Sequence, residues 1–341
     1  DLRWEKVSTY DVGMDIGFFE DKLNVTLDWY KSKTEDMLMP DVRIPSSTGY
    51  KTLPVKNVGS MRNTGWELNI DTREVVKRGK FGFDFNLAFG NNYNEILEMD
   101  PTVLKSLNSD FNYGNREVLQ RVQIGNPFGA IYGFRYKGVY QYNYETVVGM
   151  SHEERLAFLA ENKTAPIVLN ANDEIVYDED GLPLQMMYNY SNEGTTLPYE
   201  FKGGDAIYED VNHDGNINAL DIVYLGSSLP KLTGGFGFNL KYAKWRLNTQ
   251  FNYRVGNKIL NLARLDAEAM IGNNNQSKAV NHRWRKEGDN TSIPRAMFGA
   301  GSNYNTLISD RFVEDGSFLR LNYIQLSYEL NRDWVKSLGL R

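Results

Sequence analysis

The sequence predicts an all-β chain, the wall of a transmembrane antiparallel β-barrel with long extracellular loops, and three observations carry that expectation. Apolar and polar residues alternate over many segments, which is the period of a strand. Short and long connections between those segments take turns along the chain, as short periplasmic turns and long outer loops do in such barrels. The 341 residues hold 21 Tyr, 17 Phe, 6 Trp and 30 Gly but no Cys, which favours strands and turns and removes disulfides and thiolate metal sites.

Element by element, Tyr10, Val12, Met14, Ile16 and Phe18 fall on one face of a strand from Thr9 to Phe18, with Asp11, Gly13, Asp15 and Gly17 on the other. After Glu20-Asp21-Lys22, Leu23, Val25, Leu27 and Trp29 repeat the pattern and complete a hairpin. A strand near Asn63 to Asp71 sets Trp66, Leu68 and Ile70 against Glu67, Asn69 and Asp71. The run Phe81, Phe83, Phe85, Leu87 and Phe89 follows, opposite Gly82, Asp84, Asn86, Ala88 and Gly90. A second block contains Phe236, Phe238, Leu240 and Tyr242, a turn at Ala243-Lys244, then Trp245, Leu247, Thr249, Phe251, Tyr253 and Val255. The last strand, Phe318 to Leu330, changes phase between Leu321 and Ile324, which predicts a bulge near Tyr323. An eighth strand is expected around Ile131 to Tyr140, and a helix capped by Ser151 over Ser151 to Asn162.

A soluble β-sandwich shares this period. Loop asymmetry and the aromatic residues near strand ends (Trp29, Tyr30, Trp66, Tyr93, Trp245, Tyr253, Tyr328) favour the barrel, whose interfaces carry aromatic girdles. The long segments are about 35–62, 92–130, 141–232 and 256–317. A net charge of -6 gives nucleic acid no basic surface, and three scattered histidines (His152, His213, His282) make no zinc cluster.

Several strings in order resemble the SusC/RagA-like TonB-dependent transporters of the Bacteroidetes-type outer membrane. They are Trp4-Glu5-Lys6 with Tyr10 to Asp15, Asp28-Trp29-Tyr30-Lys31-Ser32-Lys33-Thr34, Asn57-Val58-Gly59 with Asn63 to Leu68, and Ile124 to Gly129. Asp210 to Asp221, Arg283-Trp284, Ile293-Pro294-Arg295-Ala296 and Ser309 to Leu321 continue the series. The resemblance implies the C-terminal part of a 22-stranded plugged barrel, with plug, TonB box, first strands and last strands outside this chain. It implies a transporter rather than an enzyme, fixed in membrane lipid. Its partners would be a SusD-like lipoprotein lid and TonB, and dimers of SusC–SusD pairs fit the same picture. The cargo expected is oligosaccharide, with oligopeptide as the alternative; a soluble or surface glycan-binding β-protein is the alternative from another class.

One motif suggests a metal. Asp210, Asn212, Asp214, Asn216 (through its carbonyl), Asn218 and Asp221 follow a calcium-loop spacing with Gly215 at the sixth position, although Asp221 replaces the usual Glu. An Asx-rich turn is the plainer reading. The loop tyrosines Tyr113, Tyr188, Tyr190, Tyr199 and Tyr304 are expected to be exposed and suited to gripping cargo, and Arg246 and Arg254 to face the lumen with Asp11, Asp15, Asp28, Glu67, Asp71 and Asp84. No nucleophile or paired-carboxylate pattern points to catalysis.

Overall fold

The computed structural model describes residues 2–39, 42–43, 52–53, 55–101, 103–104, 108, 121–141, 149–161, 165–188, 191–192, 195–196, 199–297, 302–330, 332–337 and 339. Its main sheet contains β1 (Lys6–Phe18), β2 (Leu23–Met39), β3 (Lys56–Thr72), β4 (Phe81–Met99), β5 (Leu232–Tyr242), β6 (Trp245–Val255) and β7 (Phe318–Tyr328), paired antiparallel in that order. A short piece, Val76–Arg78, pairs with the start of β4. The path has no crossover, so β1 and β7 are open edges.

Period and register act together to make one face of this sheet apolar. Met14 lies opposite Leu27, Leu27 opposite Leu68, and Leu68 opposite Phe89. Phe85 lies opposite Phe238, Phe236 opposite Phe251, and Phe251 opposite Leu321. A slip of one residue anywhere would turn a whole strand over, so the apolar rows hold the register. That face is open to its surroundings: Val12 is 65% exposed, Ile324 62% and Leu326 65%.

The buried interior lies elsewhere. Tyr132, Phe134, Tyr188, Phe201 and Ile217 are almost fully buried and cluster with Tyr208 and Leu307, all within the two longest connections. A sandwich would instead bury the sheet's own apolar face beneath a second sheet.

The strands end as their residue types dictate. The Tyr242–Trp245 hairpin closes through Ala243, at φ +53°, and Lys244. The turn from β1 to β2 and the connection from β3 to β4 are also short and lie at this same end of the sheet, whereas the long connections leave from the other. Along β2 to β4 the strands continue past the points where apolar alternation stops, because outward positions beyond Trp29 and Trp66 become Lys31, Lys33, Arg62 and Glu95. Arg62 pairs with Glu95 there. From Leu23 to Trp29 the apolar stretch is roughly 20 Å along the strand at about 3.3 Å per residue, with the tryptophans marking its rim.

The bulge falls where the phase change put it. Gln250 faces Tyr323 and Phe251 faces Leu321, so Asn322 is the extra residue and Ile324 returns to the apolar face. β7 ends at Tyr328, two residues short of the expected Leu330.

The expected eighth strand at Ile131 to Tyr140 is not part of the sheet. It is two short pieces: Ala130–Gly133 pairs with Val223–Ser227, and Tyr136–Val139 pairs with Ala206–Tyr208. Phe134 between them is fully buried, its N–H donating to Ile308 O at 2.9 Å and its carbonyl accepting from Asp310 N at 3.1 Å. These partners draw the segment into the body built by the two longest connections. Helix α1 (His152–Glu161) forms as expected, with a reciprocal cap in which Glu154 N donates to Ser151 Oγ and Ser151 N donates to Glu154 Oε2.

Candidate functional site

Two regions carry chemistry: the polar face of the sheet and the body built by the long connections. On the polar face, Asp11, Asp15, Asp28, Glu67, Asp71 and Asp84 project from β1 to β4, and Lys241, Arg246, Arg254 and Arg320 from β5 to β7. The face is therefore acidic on one side and basic on the other. Arg246 and Arg254, expected on this face, are there and exposed. A crevice of about 650 Å³ lies at the short-turn end, where Asp84, Lys241 and Arg246 meet.

The tyrosines expected to be exposed are not. Tyr188 and Tyr304 are buried and Tyr199 is half-buried, because their rings pack on each other. Tyr199 stacks on Tyr304 at 4.1 Å, and Tyr188 meets Tyr304 edge-on at 4.6 Å. These rings are the interior of the body rather than a grip for cargo. Tyr113 and Tyr190 lie outside the described residues.

Sequence reasoning missed the polar pin beside them. Asp205 is fully buried, and it accepts from Arg295 Nε at 2.7 Å, Tyr199 Oη at 2.7 Å, Lys202 N at 2.9 Å and Asn305 Nδ2 at 3.2 Å. Burial and then the Asp205 charge hold the Tyr199 phenol well above its usual range. A second pin joins Glu268 to Arg264 and Arg311, the last lying against the Phe312 ring at 4.9 Å. Burial pushes the nearby Tyr136 phenol up to about 12, with Arg311 opposing. Arg295 and Arg311 stand in the strings Ile293 to Ala296 and Ser309 to Leu321, but their partners are 90 and 43 residues away, so no local pattern reveals them.

The Asp210 to Asp221 loop is tightly wound. Asp210 accepts from Asp214 N at 3.2 Å and Gly215 N at 2.7 Å, and Asp214 Oδ1 accepts from Asn216 N at 2.8 Å. Gly215 has φ +80°, and a Cβ there would meet Val168 at 2.8 Å, so glycine is required on both counts. Asn218 caps a short 3₁₀ turn, and Asp221 completes the cap by accepting from Asn218 N at 2.9 Å and from Val211 N at 2.8 Å.

Burial raises the Asp221 carboxyl to about 6 against these amide donors, with the charges of Asp210 and Asp214 adding to the rise. Burial also raises Asp210. No cation is among the groups acting on either. The oxygens are hard donors and each carboxylate oxygen has a second lone pair, which fits a calcium ion. Yet among the described residues no three Asp, Glu or His side chains converge as a metal cluster, and both Asp221 oxygens already serve as caps.

Residues 1–154, which include β1 to β4, match the family model described as TonB dependent receptor-like, beta-barrel. Over those residues the chain is similar to the barrel of TonB-dependent receptors. It is 29% identical over 345 residues to TonB-dependent receptor P39 of Formosa agariphila, covering 99% of this chain and 30% of that protein. It is 25% identical over 337 residues to TonB-dependent receptor SusC of Bacteroides thetaiotaomicron, covering 98% of this chain and 27% of that protein. Among solved structures, the RagAB peptide transporter matches the fold of this barrel segment with a TM-score of 0.64 and 21% identity, over 97% of this chain and 29% of that one. The chain spans less than a third of the length of these relatives.

Proposed function

We propose that this chain forms part of the wall and outer mouth of a TonB-coupled outer-membrane importer of oligosaccharides, working with a SusD-like surface lipoprotein. The observation that carries the reading is the unbroken apolar face across β1 to β7, rimmed by Trp29 and Trp66 and backed by a polar face. Such a sheet suits lipid on one side and a hydrated route on the other. Its kinship to SusC supports glycan cargo. The likeness to the RagAB peptide transporter favours oligopeptide as the second cargo class.

On this reading a plug and a TonB-binding segment lie outside these residues, the body of the long connections faces outward and receives the lid, and pairs of transporter and lid associate further. Calcium on the Asp210 to Asp221 loop would brace that body, with no part in catalysis. The reading is tested by deleting the gene for the full-length protein and measuring uptake of labelled oligosaccharides and oligopeptides, with and without TonB function. Loss of TonB-dependent uptake of one cargo class supports it; unchanged uptake of every class would falsify it.

A further inference from the structure

The polar face of the sheet is divided by charge, and the division is complete within β1 to β7. Its β1 to β4 side presents Asp11, Asp15, Asp28, Glu67, Asp71 and Asp84 and no Lys or Arg from those four strands, while Lys77, on the short piece beside β4, lies opposite Gly82 and is paired with Glu74. Its β5 to β7 side presents Lys241, Arg246, Arg254 and Arg320, and no Asp or Glu. None of these four cations forms an ion pair among the described residues. Four unneutralised cations along one wall attract anions from a distance and repel other cations.

The basic side is also a lane with a built upper end. Arg246 and Arg254 are eight residues apart on β6, roughly 27 Å along the strand at about 3.4 Å per residue. Lys241 lies opposite Arg246 at the short-turn end. At the other end Arg254 and Arg320 flank the Phe318 ring, their guanidinium carbons 6.0 Å and 5.1 Å from its centroid. A recess of about 340 Å³ opens there, lined by Thr233, Asn252, Arg254, Phe318, Arg320 and Asn322 among others, with no carboxylate in its wall.

We infer that this recess is the entry subsite for an acidic oligosaccharide, one carrying carboxylate or sulfate groups, and that the basic lane below it favours such cargo over neutral glycan. A guanidinium fork matches a carboxylate or sulfate in two-point geometry. Thr233, Asn252 and Asn322 supply the hydroxyl and amide partners that sugar hydroxyls need, and Phe318 offers a ring face to sugar C–H groups. An acidic peptide is the weaker fit, because peptide side chains also need apolar pockets and this side of the polar face holds only Phe318 and Tyr323. The inference rests on the import reading and narrows its cargo class.

The test is titration calorimetry on the full-length transporter with its lid, in detergent. The probes are a short oligouronate, its carboxyl-reduced neutral counterpart, a sulfated oligosaccharide and an acidic oligopeptide. The oligouronate or the sulfated probe should bind at least tenfold tighter than the neutral sugar, and the two probes tell the carboxylate and sulfate sources apart. Arg254→Gln with Arg320→Gln should erase that preference, leaving acidic and neutral sugars bound alike, while Arg254→Lys with Arg320→Lys, which keeps the charge and loses the fork, should restore only part of it. Equal affinity for charged and neutral sugars overturns the inference, as does preference for the acidic peptide. A lowered unfolding temperature of the cargo-free Gln variant with unchanged anion affinity also overturns it, since the arginines would then serve an acidic segment of the protein itself. TonB-dependent uptake of neutral sugar or peptide alone would leave the import reading standing, whereas absence of uptake for every oligomer removes both.

Discussion

The Tyr253 hydroxyl donates to the carbonyl of Ala88 at 3.0 Å, crossing the strand that lies between them. It can do so because Gly234 sits beneath the ring, where a Cβ would come within 2.5 Å of the phenol oxygen and 1.9 Å of that same carbonyl. Tyr30 covers Gly65 in the same way on the opposite face. Each tyrosine fills the gap left by a glycine, and the Tyr253 hydrogen bond also clamps β6 to β4.

Removing the bond and removing the gap should differ in severity. Tyr253→Phe should cost about 0.5–1.5 kcal/mol, the net worth of one hydrogen bond. Gly234→Val should cost more, because backbone as well as ring must move. Thermal unfolding of the full-length protein in detergent checks both, and a Gly234→Val variant as stable as Tyr253→Phe would refute the clamp.

The apolar face makes a prediction of its own. Arg at Phe85, in the middle of that face, should cost ~2–4 kcal/mol if the position lies near the bilayer midplane, whereas Arg at Asn86 on the polar face should be mild. Refolding titrations in lipid vesicles measure the pair. Equal and severe penalties would point to a buried protein core instead.

Breaking the Asp205 pin should loosen the outer body while sparing the sheet. Asp205→Ala leaves the partly buried Arg295 without its carboxylate, at a cost of about 3 kcal/mol or more. Replacing both residues by apolar ones of similar volume should cost less than Asp205→Ala alone. Hydrogen exchange over residues 199–210 and 293–297 reads the effect, and unchanged protection in Asp205→Ala would dismiss the pin.

Asp221 makes the outer body sensitive to pH. Its carboxyl titrates near 6 in the folded chain and near the ordinary Asp value, about 3.9, when unfolded. Between those values the folded state holds the extra proton, so calcium-free stability should fall as pH rises from about 4 to about 6. Asp221→Asn should flatten that slope. Calcium favours the ionised carboxylate, so adding it should raise stability above pH 6 in the parent but not in Asp210→Ala with Asp214→Ala. Calorimetry in chelator and in calcium reads both effects; the absence of a calcium-dependent rise would leave the loop as a wound turn only.

The sheet was legible because residues of its apolar and polar faces must alternate, and even the bulge at Asn322 shows as a slip from Leu321 to Ile324. Where Lys31, Lys33, Arg62 and Glu95 take the outward positions, the alternation vanishes while the backbone ladder continues, so about half of each of β2 to β4 was missed. The outer body was illegible for a different reason. Its strands are two to five residues long and pair across distant sequence, as Ala130–Gly133 does with Val223–Ser227. Tyr188, Tyr199 and Tyr304 looked like surface residues only because nothing near them in sequence shows that they meet. The Asp210 to Asp221 spacing suits a calcium loop and an Asx-rich turn alike, and that both Asp221 oxygens accept from backbone N–H groups of the loop is something spacing alone does not reveal.

The shared interior of the two longest connections has a mechanical consequence. Phe134 is gripped by Ile308 and Asp310, and Asp205 by Arg295 and Asn305, so the segment between β4 and β5 is clasped to the segment between β6 and β7 at several points. A pull on either segment is shared by the other. Neither segment can then lift away by itself without first prying open the clasp.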